Sequence, residues 1–520
     1  MTPKNQYGNK KNKWIYVGIL SVLAIVGLLG LLKGLGPQRA EESEQELVVY
    51  CAAGIRKPVA EAVDDYTKEY GQAIRPEYDS SGALEKRLQL EAKYGTPRAD
   101  LYIPANIFFA EKAAAEGLTK EHLPLARFRL VLAVQPGFDR PITCLDDLLQ
   151  HKVSFVMCNP EAAVGKFTQK MLTKAGKFEA LDKAKKSTFP TVVGAGNAIQ
   201  TAQDVQAGFI WDITAKQFNL QIIELPELKE AISSTSINLV QTTSNPAAAL
   251  RFARYLAAPE KGNHNFATHH FIPIAGDAWA EVPQLTFFCG GVNKAAVEQT
   301  LREFEQREGV QIRSQFAGCG SLVSTMKSIK SADPGDGYPD VYMTCDKTFY
   351  DMVRDDFGMG RDVSTTDVII LVRKDNPKNI QSLEDLARPN VRFGTTDPKM
   401  STLGFLSWKI LAAQGLKEAV RDNAIVTTPT AHELVTQMVS HPKLDAVLVY
   451  VANCREAKET CELIPIDHPL ARATQNIGMA NKTPYPALTE RLINALHATE
   501  KSKKRFLGSG FQWIGPETDG

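Results

Sequence analysis

Short apolar runs alternate along most of this chain with longer stretches whose apolar residues recur at helical spacing. Val48-Val49 leads into the small-residue stretch Tyr50-Cys51-Ala52-Ala53-Gly54, and Pro58 stands where a first helical turn would begin. That pattern predicts a strand emptying into a tight loop and a helix N-terminus. Small residues let a ligand approach the backbone, and a helix start presents unpaired N–H groups. Amphipathic helices are predicted over residues 60–70, 166–175 and 296–307. Strands alternating with helices in this way predict parallel sheets covered on both faces, with ligands beyond the strand C-termini.

The pattern occurs twice. Thr286-Phe287-Phe288-Cys289-Gly290-Gly291-Val292 repeats the first strand and loop, so Cys51 matches Cys289 and Arg56 matches Lys294. Tyr78-Asp79-Ser80-Ser81-Gly82-Ala83-Leu84 faces Gln315-Phe316-Ala317-Gly318-Cys319-Gly320-Ser321-Leu322, and Ala99-Asp100-Leu101-Tyr102 faces Pro339-Asp340-Val341-Tyr342. Val153 to Pro160 faces Val391 to Pro398, and Gly208-Phe209-Ile210-Trp211 faces Val447-Leu448-Val449-Tyr450. Each pair is offset by about 240 residues, in order, which indicates a duplicated domain and not a short-period solenoid. The seam falls near residues 276–284, giving modules at 46–276 and 285–515.

Residues 14–32 carry no charge and follow Lys4, Lys10, Lys11 and Lys13. At about 1.5 Å per residue the run reaches nearly across a hydrocarbon core. Gln38-Arg39-Ala40 fits a cleavage site poorly, and the first cysteine, Cys51, lies within a predicted strand. The expectation is a basic cytoplasmic tail (1–13), an uncleaved anchor (14–32), a polar tether (33–45) and an extracytoplasmic bulk. A formal net charge of +1 in 520 residues excludes a nucleic-acid footprint read from bulk charge. No P-loop, nucleophile elbow or H-E-x-x-H motif is present, and Gly194-Ala195-Gly196 lacks the third glycine of a dinucleotide fingerprint. An enzyme is therefore not expected, and no cofactor is implied.

The ordered set of motifs resembles the molybdate-binding members of the type II periplasmic binding proteins, the extracytoplasmic receptors of ABC importers. The likeness rests on the small-residue loops, the Ser81-Gly82-Ala83-Leu84 helix start, Asp375-Asn376-Pro377 with Gln381-Ser382-Leu383-Glu384-Asp385-Leu386, the looser Thr143-Cys144-Leu145-Asp146-Asp147-Leu148, and Asn245-Pro246-Ala247-Ala248-Ala249 with Phe252. It covers residues 46 to 515. The resemblance implies an α/β fold of two tandem modules, each of two lobes joined by a hinge near 128–134 and 367–372, with a cleft between the lobes. It further implies an oxyanion ligand, molybdate or tungstate, and delivery to an ABC permease.

Carried over position by position, the resemblance puts the first module's contacts at Ala53, Gly54, Ser81, Val164, Ala198 and Trp211. Those of the second fall at Gly291, Val292, Cys319, Leu403, His432 and Tyr450. Gly54 and Val292 stand where the family has a first serine, Cys319 where it has a second, and Trp211 where it has a closing tyrosine. Backbone donors survive such changes and hydroxyl donors do not. The physical requirement is simple: a tetrahedral dianion needs convergent amides at helix starts and neutral hydroxyls, not a paired cation.

Two other readings remain at this point. Cys289, Cys319 and Cys345 sit at strand ends that meet at the second cleft with His432, a set suited to a soft metal or to redox chemistry. No metal-ligand spacing supports it, and cysteine also serves as a small apolar filler. The second alternative is a ligand sensor without a transport role. Cys454 and Cys461 bracket a short charged loop and form a candidate disulfide.

Overall fold

The computed structural model describes residues 45–332 and 337–517. The tail, anchor and tether read into residues 1–44 lie outside them. Among the described residues no helix is long and apolar enough to cross a membrane. From Leu47 onward the chain forms one compact unit.

Every residue of the first strand, Leu47–Ala52 (β1), is buried, as its apolar run requires. A turn of 3-10 helix at Ala53–Ile55 comes next, and then the helix Arg56–Tyr70. Pro58 lies in that first turn, where a missing N–H costs nothing. Gly71 ends the helix at φ 73°, a left-handed conformation that glycine adopts without strain.

The remaining strands of the first module are Ile74–Asp79 (β2), Leu101–Ile103 (β3), Thr119–Val134 (β4), Phe155–Cys158 (β5), Ser187–Phe189 (β6), Ala207–Trp211 (β7), Gln221–Ile223 (β8), Ile232–Val240 (β9) and Ile272–Pro273 (β10). They run in the order β2-β1-β3-β9-β4-β7-β5-β6, with β8 and β10 also paired to β4. The second module supplies Gln284–Gly290 (β11), Gln311–Ala317 (β12), Val341–Met343 (β13), Arg361–Arg373 (β14), Phe393–Thr396 (β15), Ala424–Thr428 (β16), Ala446–Tyr450 (β17), Cys461–Pro465 (β18), Arg472–Met479 (β19) and Gln512–Trp513 (β20). Its order, β12-β11-β13-β19-β14-β17-β15-β16 with β18 and β20 on β14, reproduces the first strand for strand.

Each module is a mixed sheet, whereas the alternating pattern alone predicts parallel pairing throughout. Parallel pairs β1/β2 and β1/β3 build one lobe, and β5/β6 and β5/β7 the other. The antiparallel exceptions involve the strands that join the lobes. In β4, residues up to Arg129 pair with β9, whereas Leu130 to Val134 pair with β7. In β14 the change falls between Asp367, on β19, and Val368, on β17. One continuous strand thus serves both lobes, inside the segments expected to form the hinges.

The modules meet through buried polar groups. Arg254 of the helix Pro246–Ala257 donates to the Glu308 carbonyl at 2.8 Å and faces its carboxylate at 3.4 Å. Arg491 grips the same carboxylate with two hydrogen bonds of 3.0 and 2.9 Å. Asp277, in the segment between the modules, accepts the Ala487 and Leu488 N–H groups at the start of the helix Pro486–His497. The N-cap residue of that helix, Tyr485, makes no side-chain cap bond, so the linker carboxylate does the capping.

Candidate functional site

The first cleft closes on a cavity of about 20 Å³, little more than the room one water needs. Its walls come from both lobes: Ala52 to Gly54, Asp79 to Ser81 and Ala105 on one side, Ala162 to Val164, Thr191, Val192 and Trp211 on the other. All of these lie at strand ends or helix starts, where unpaired amides gather.

Three helices of ten or more residues begin at the cavity: Ser81–Tyr94, Ala163–Lys174 and Val192–Thr201. Ser80 caps the first by accepting the Ala83 N–H, and Thr191 caps the third by accepting the Gly194 N–H. Ala162 precedes the second and has no side chain to offer, so the Ala163 and Val164 amides keep neither capping nor intrahelical partners. Ser81 Oγ accepts the Ala105 N–H at 3.1 Å, which leaves its own proton for a further acceptor.

Trp211 is 1% exposed, and Phe128 and Phe167 flank its indole at ring-centre distances of 4.9 and 5.7 Å. Among the described residues no acceptor takes the indole N–H. A β-carbon on Gly54 would stand 2.9 Å from Val192 Cγ1 and 3.6 Å from Trp211 Cδ1. Val192, and not the indole, is therefore the neighbour that excludes a side chain at position 54.

Among the described residues no cationic side chain lines this cavity. Its one acid, Asp79, accepts the Ser80 N–H at 2.7 Å and pairs with Arg87 at 2.8 Å. Arg56 lies over the Tyr78 ring, 5.0 Å from its centre. What remains is a set of neutral N–H and O–H donors at helix starts, the chemistry that holds an anion without neutralising it. The lobes also touch directly, because Gly82 N–H donates to the Glu161 carbonyl at 2.8 Å. A β-carbon on Gly82 would meet that oxygen at 2.8 Å, so only glycine allows the approach.

The second cleft keeps the scaffold and changes the contents. Cys345 N–H donates to Cys319 Sγ at 3.1 Å, the counterpart of Ala105 and Ser81 with sulfur in place of oxygen. Gly291, Val292, Leu403, His432 and Tyr450 line this cleft, which spans about 800 Å³. The helix Thr402–Ala413 again starts without a side-chain cap. Tyr450 is 1% exposed, and its hydroxyl has no hydrogen-bond partner. Burial pushes the Tyr450 pKa well above its ordinary value, so the group stays a protonated donor.

Eleven of the twelve positions carried over by resemblance therefore reach, or lie one residue behind, a cleft wall. Cys319 is the one behind: it is fully buried, and Cys345 lines the cleft in front of it. Ala198 is the exception. It lies six residues past the start of its helix, and the cavity is reached by Thr191 and Val192. The polar Thr191 with Val192-Val193-Gly194 after it was the cap signal that marked the true helix start. Sequence reasoning also passed over Asp79, Ala105 and Ala162, which are set by the same strand ends.

The geometry supports neither a metal site at the second cleft nor a Cys454–Cys461 bridge. Among the described residues no group of three or more His, Cys, Asp or Glu side chains can hold a metal. Cys289 and Cys319 are buried, Cys289 pointing its thiol at the Gly290 carbonyl, while His432 lies exposed on the cleft wall. Cys454 and Cys461 are both free thiols. Cys454 donates to the Tyr450 carbonyl at 3.4 Å, and Cys461 lies 3.8 Å from Thr460 Oγ1 at the start of β18.

Residues 47–266 and 285–512 each match the profile of a family described as bacterial extracellular solute-binding protein. A binding protein of Haemophilus influenzae is 23% identical over 238 residues, spanning 44% of this chain and 91% of that protein. The molybdate-binding protein ModA of Mycobacterium tuberculosis is 21% identical over 253 residues, 47% of this chain and 94% of its own length. Among solved structures, the periplasmic molybdate-binding protein of Azotobacter vinelandii covers 44% of this chain and 98% of its own at 16% identity, with a TM-score of 0.37. Matched over most of its length, the chain belongs to the bacterial extracellular solute-binding protein family and carries two modules of it in tandem.

Proposed function

We propose that the protein is an extracytoplasmic receptor that binds a tetrahedral oxyanion, molybdate or tungstate, in its first cleft and delivers it to an ABC permease, held at the membrane by residues 14–32. The observation that carries this reading is the lining of the first cavity, which among the described residues holds no cationic side chain and presents uncapped amides, the Ser81 hydroxyl and the Trp211 side chain. The molybdate-binding relatives support the choice of ion. Ligand contacts come from both lobes, so the ion binds best when they are together and pulls them closed about the β4 crossing. The chain acts as a receptor and not as an enzyme. Calorimetry of the full chain with molybdate, tungstate, sulfate, phosphate and thiosulfate tests the proposal. Molybdate and tungstate should release heat at one equivalent and the protonated phosphate should not. Silence from all five ions would end it.

A further inference from the structure

The two clefts differ far more in size than their lobes differ in separation. In the first, Gly82 N–H bridges to Glu161 O. At the same edge of the second, Ser321 N–H bridges to Met400 O at 3.3 Å, and the bare backbones of Gly318 and Gly320 press against Met400 and Lys399. Both modules are therefore latched, yet the first holds about 20 Å³ and the second about 800 Å³. The two modules also differ on the C-terminal side of the closing aromatic. After Trp211 the chain enters the helix Asp212–Gln217. After Tyr450 it makes two short 3-10 turns, Val451–Asn453 and Arg455–Ala457, and Ala452, Asn453, Arg455 and Ala457 line the cleft. Gly291 completes the change, since a β-carbon there would meet nothing nearer than Ala317 O at 3.7 Å.

The lining mixes basic and apolar side chains. Lys294, His432 and Arg455 line the space, and among the described residues Glu298 is the one acid lining it. Lys294 lies over the Phe316 ring at 5.7 Å, and Val292, Val435 and Val439 continue the apolar surface. Thr402 and Leu403, at a helix start that no side chain caps, line the same cleft as Tyr450, whose buried O–H has no partner. A volume of this order suits a small organic molecule, and apolar walls with a few placed polar groups are how such sites are built.

We propose that the second cleft binds an organic anion, its carboxylate or phosphate-ester head on the Thr402 and Leu403 amides and the Tyr450 hydroxyl, and its apolar body between Phe316, Val435 and Val439. This rests on the reading of the chain as a solute receptor and gives its two modules different ligands. A tetrahedral ion alone would leave most of the cleft filled with water and the Phe316 side without contact.

The test is calorimetry on the full chain with phenyl phosphate, benzoate, inorganic phosphate and molybdate. Phenyl phosphate or benzoate should bind at one equivalent, and prior saturation with molybdate should leave that heat unchanged. Tyr450→Phe should weaken the organic anion about tenfold by removing one buried donor. Ala295→Trp, on the exposed first turn of the helix Lys294–Glu308, should block it by filling the cleft while leaving thermal stability and the molybdate heat as they were. Molybdate filling both clefts, no heat from either organic anion, or equal binding by the Ala295→Trp protein would overturn the proposal. Organic-anion binding in a chain that ignores molybdate would instead refute the oxyanion reading of the first cleft and leave this one standing.

Discussion

Gly54 and Trp211 show how one residue decides what a cleft can hold. A methyl at position 54 points at Val192 from 2.9 Å, so Gly54→Ala should push the two lobes apart there. Overpacking of this kind costs about 1–3 kcal/mol, and oxyanion affinity should fall at least tenfold by calorimetry. Gly291→Ala, whose β-carbon has 3.7 Å of clearance, should leave stability unchanged. Ser81→Ala removes a buried hydroxyl and orphans the Ala105 N–H, so affinity should drop by about 1–3 kcal/mol with a lower melting temperature. Trp211→Phe keeps an aromatic ring between Phe128 and Phe167 but removes the indole N–H together with the ring that carries it, which should cost at least tenfold in affinity and, through the buried space left behind, lower the melting temperature. An unchanged titration curve for that variant would remove the indole from the site. At this scale the sequence was legible where function lies on the backbone. Gly54 and Ser81 lie at a strand end and a helix start that the residue pattern announces, whereas Val164 and Leu403 are placed by the family resemblance. It was not legible where a side chain turns aside. Cys454 spends its thiol on the Tyr450 carbonyl, and Thr191 starts a helix that a count of residues from the family's pattern places further on.

Among the elements, β4 and β14 carry the mechanical argument. The period-two pattern along residues 119–134 does not tell which partner each half will take. The change of partner at Arg129 and Leu130 is a tertiary fact, fixed by where β7 and β9 lie. The same ignorance of partners made the sheets look purely parallel in sequence, although the duplication itself was plain from the ordered motifs. Asp212 marks the crossing: its carboxylate accepts the Arg129 N–H at 2.9 Å, just where the strand leaves one lobe for the other. Asp212→Ala should free that amide and loosen the hinge of the first module. Hydrogen exchange at Arg129 and Leu130 should rise, with no comparable change at Asp367 and Val368 of β14.

For the whole molecule, Glu308 matters most. It is fully buried between Arg254 and Arg491 and joins the two modules. Burial by itself raises its pKa, but the guanidinium of Arg491, with Arg254 and Arg307, outweighs burial and holds the carboxyl below its usual range. A folded-state pKa below the unfolded one means the stabilisation is complete above the ordinary Glu value, near 4.5, and is lost as pH falls through the lowered one. Acid should therefore separate the modules, read as a fall in the urea midpoint that begins below about pH 5. Glu308→Gln should remove that dependence and cost about 3–5 kcal/mol, because two buried guanidinium groups lose their counter-charge. None of this could be seen in sequence, where Glu308 reads as the last polar residue of an exposed helix.

Diffraction from crystals grown with tungstate, recorded where the metal scatters anomalously, tests the central claim most directly. One strong peak is expected inside the first cleft, within hydrogen-bonding reach of Ser81 Oγ, the Val164 amide and the Trp211 indole nitrogen. An empty first cleft, or a peak seated on surface lysines alone, would contradict it.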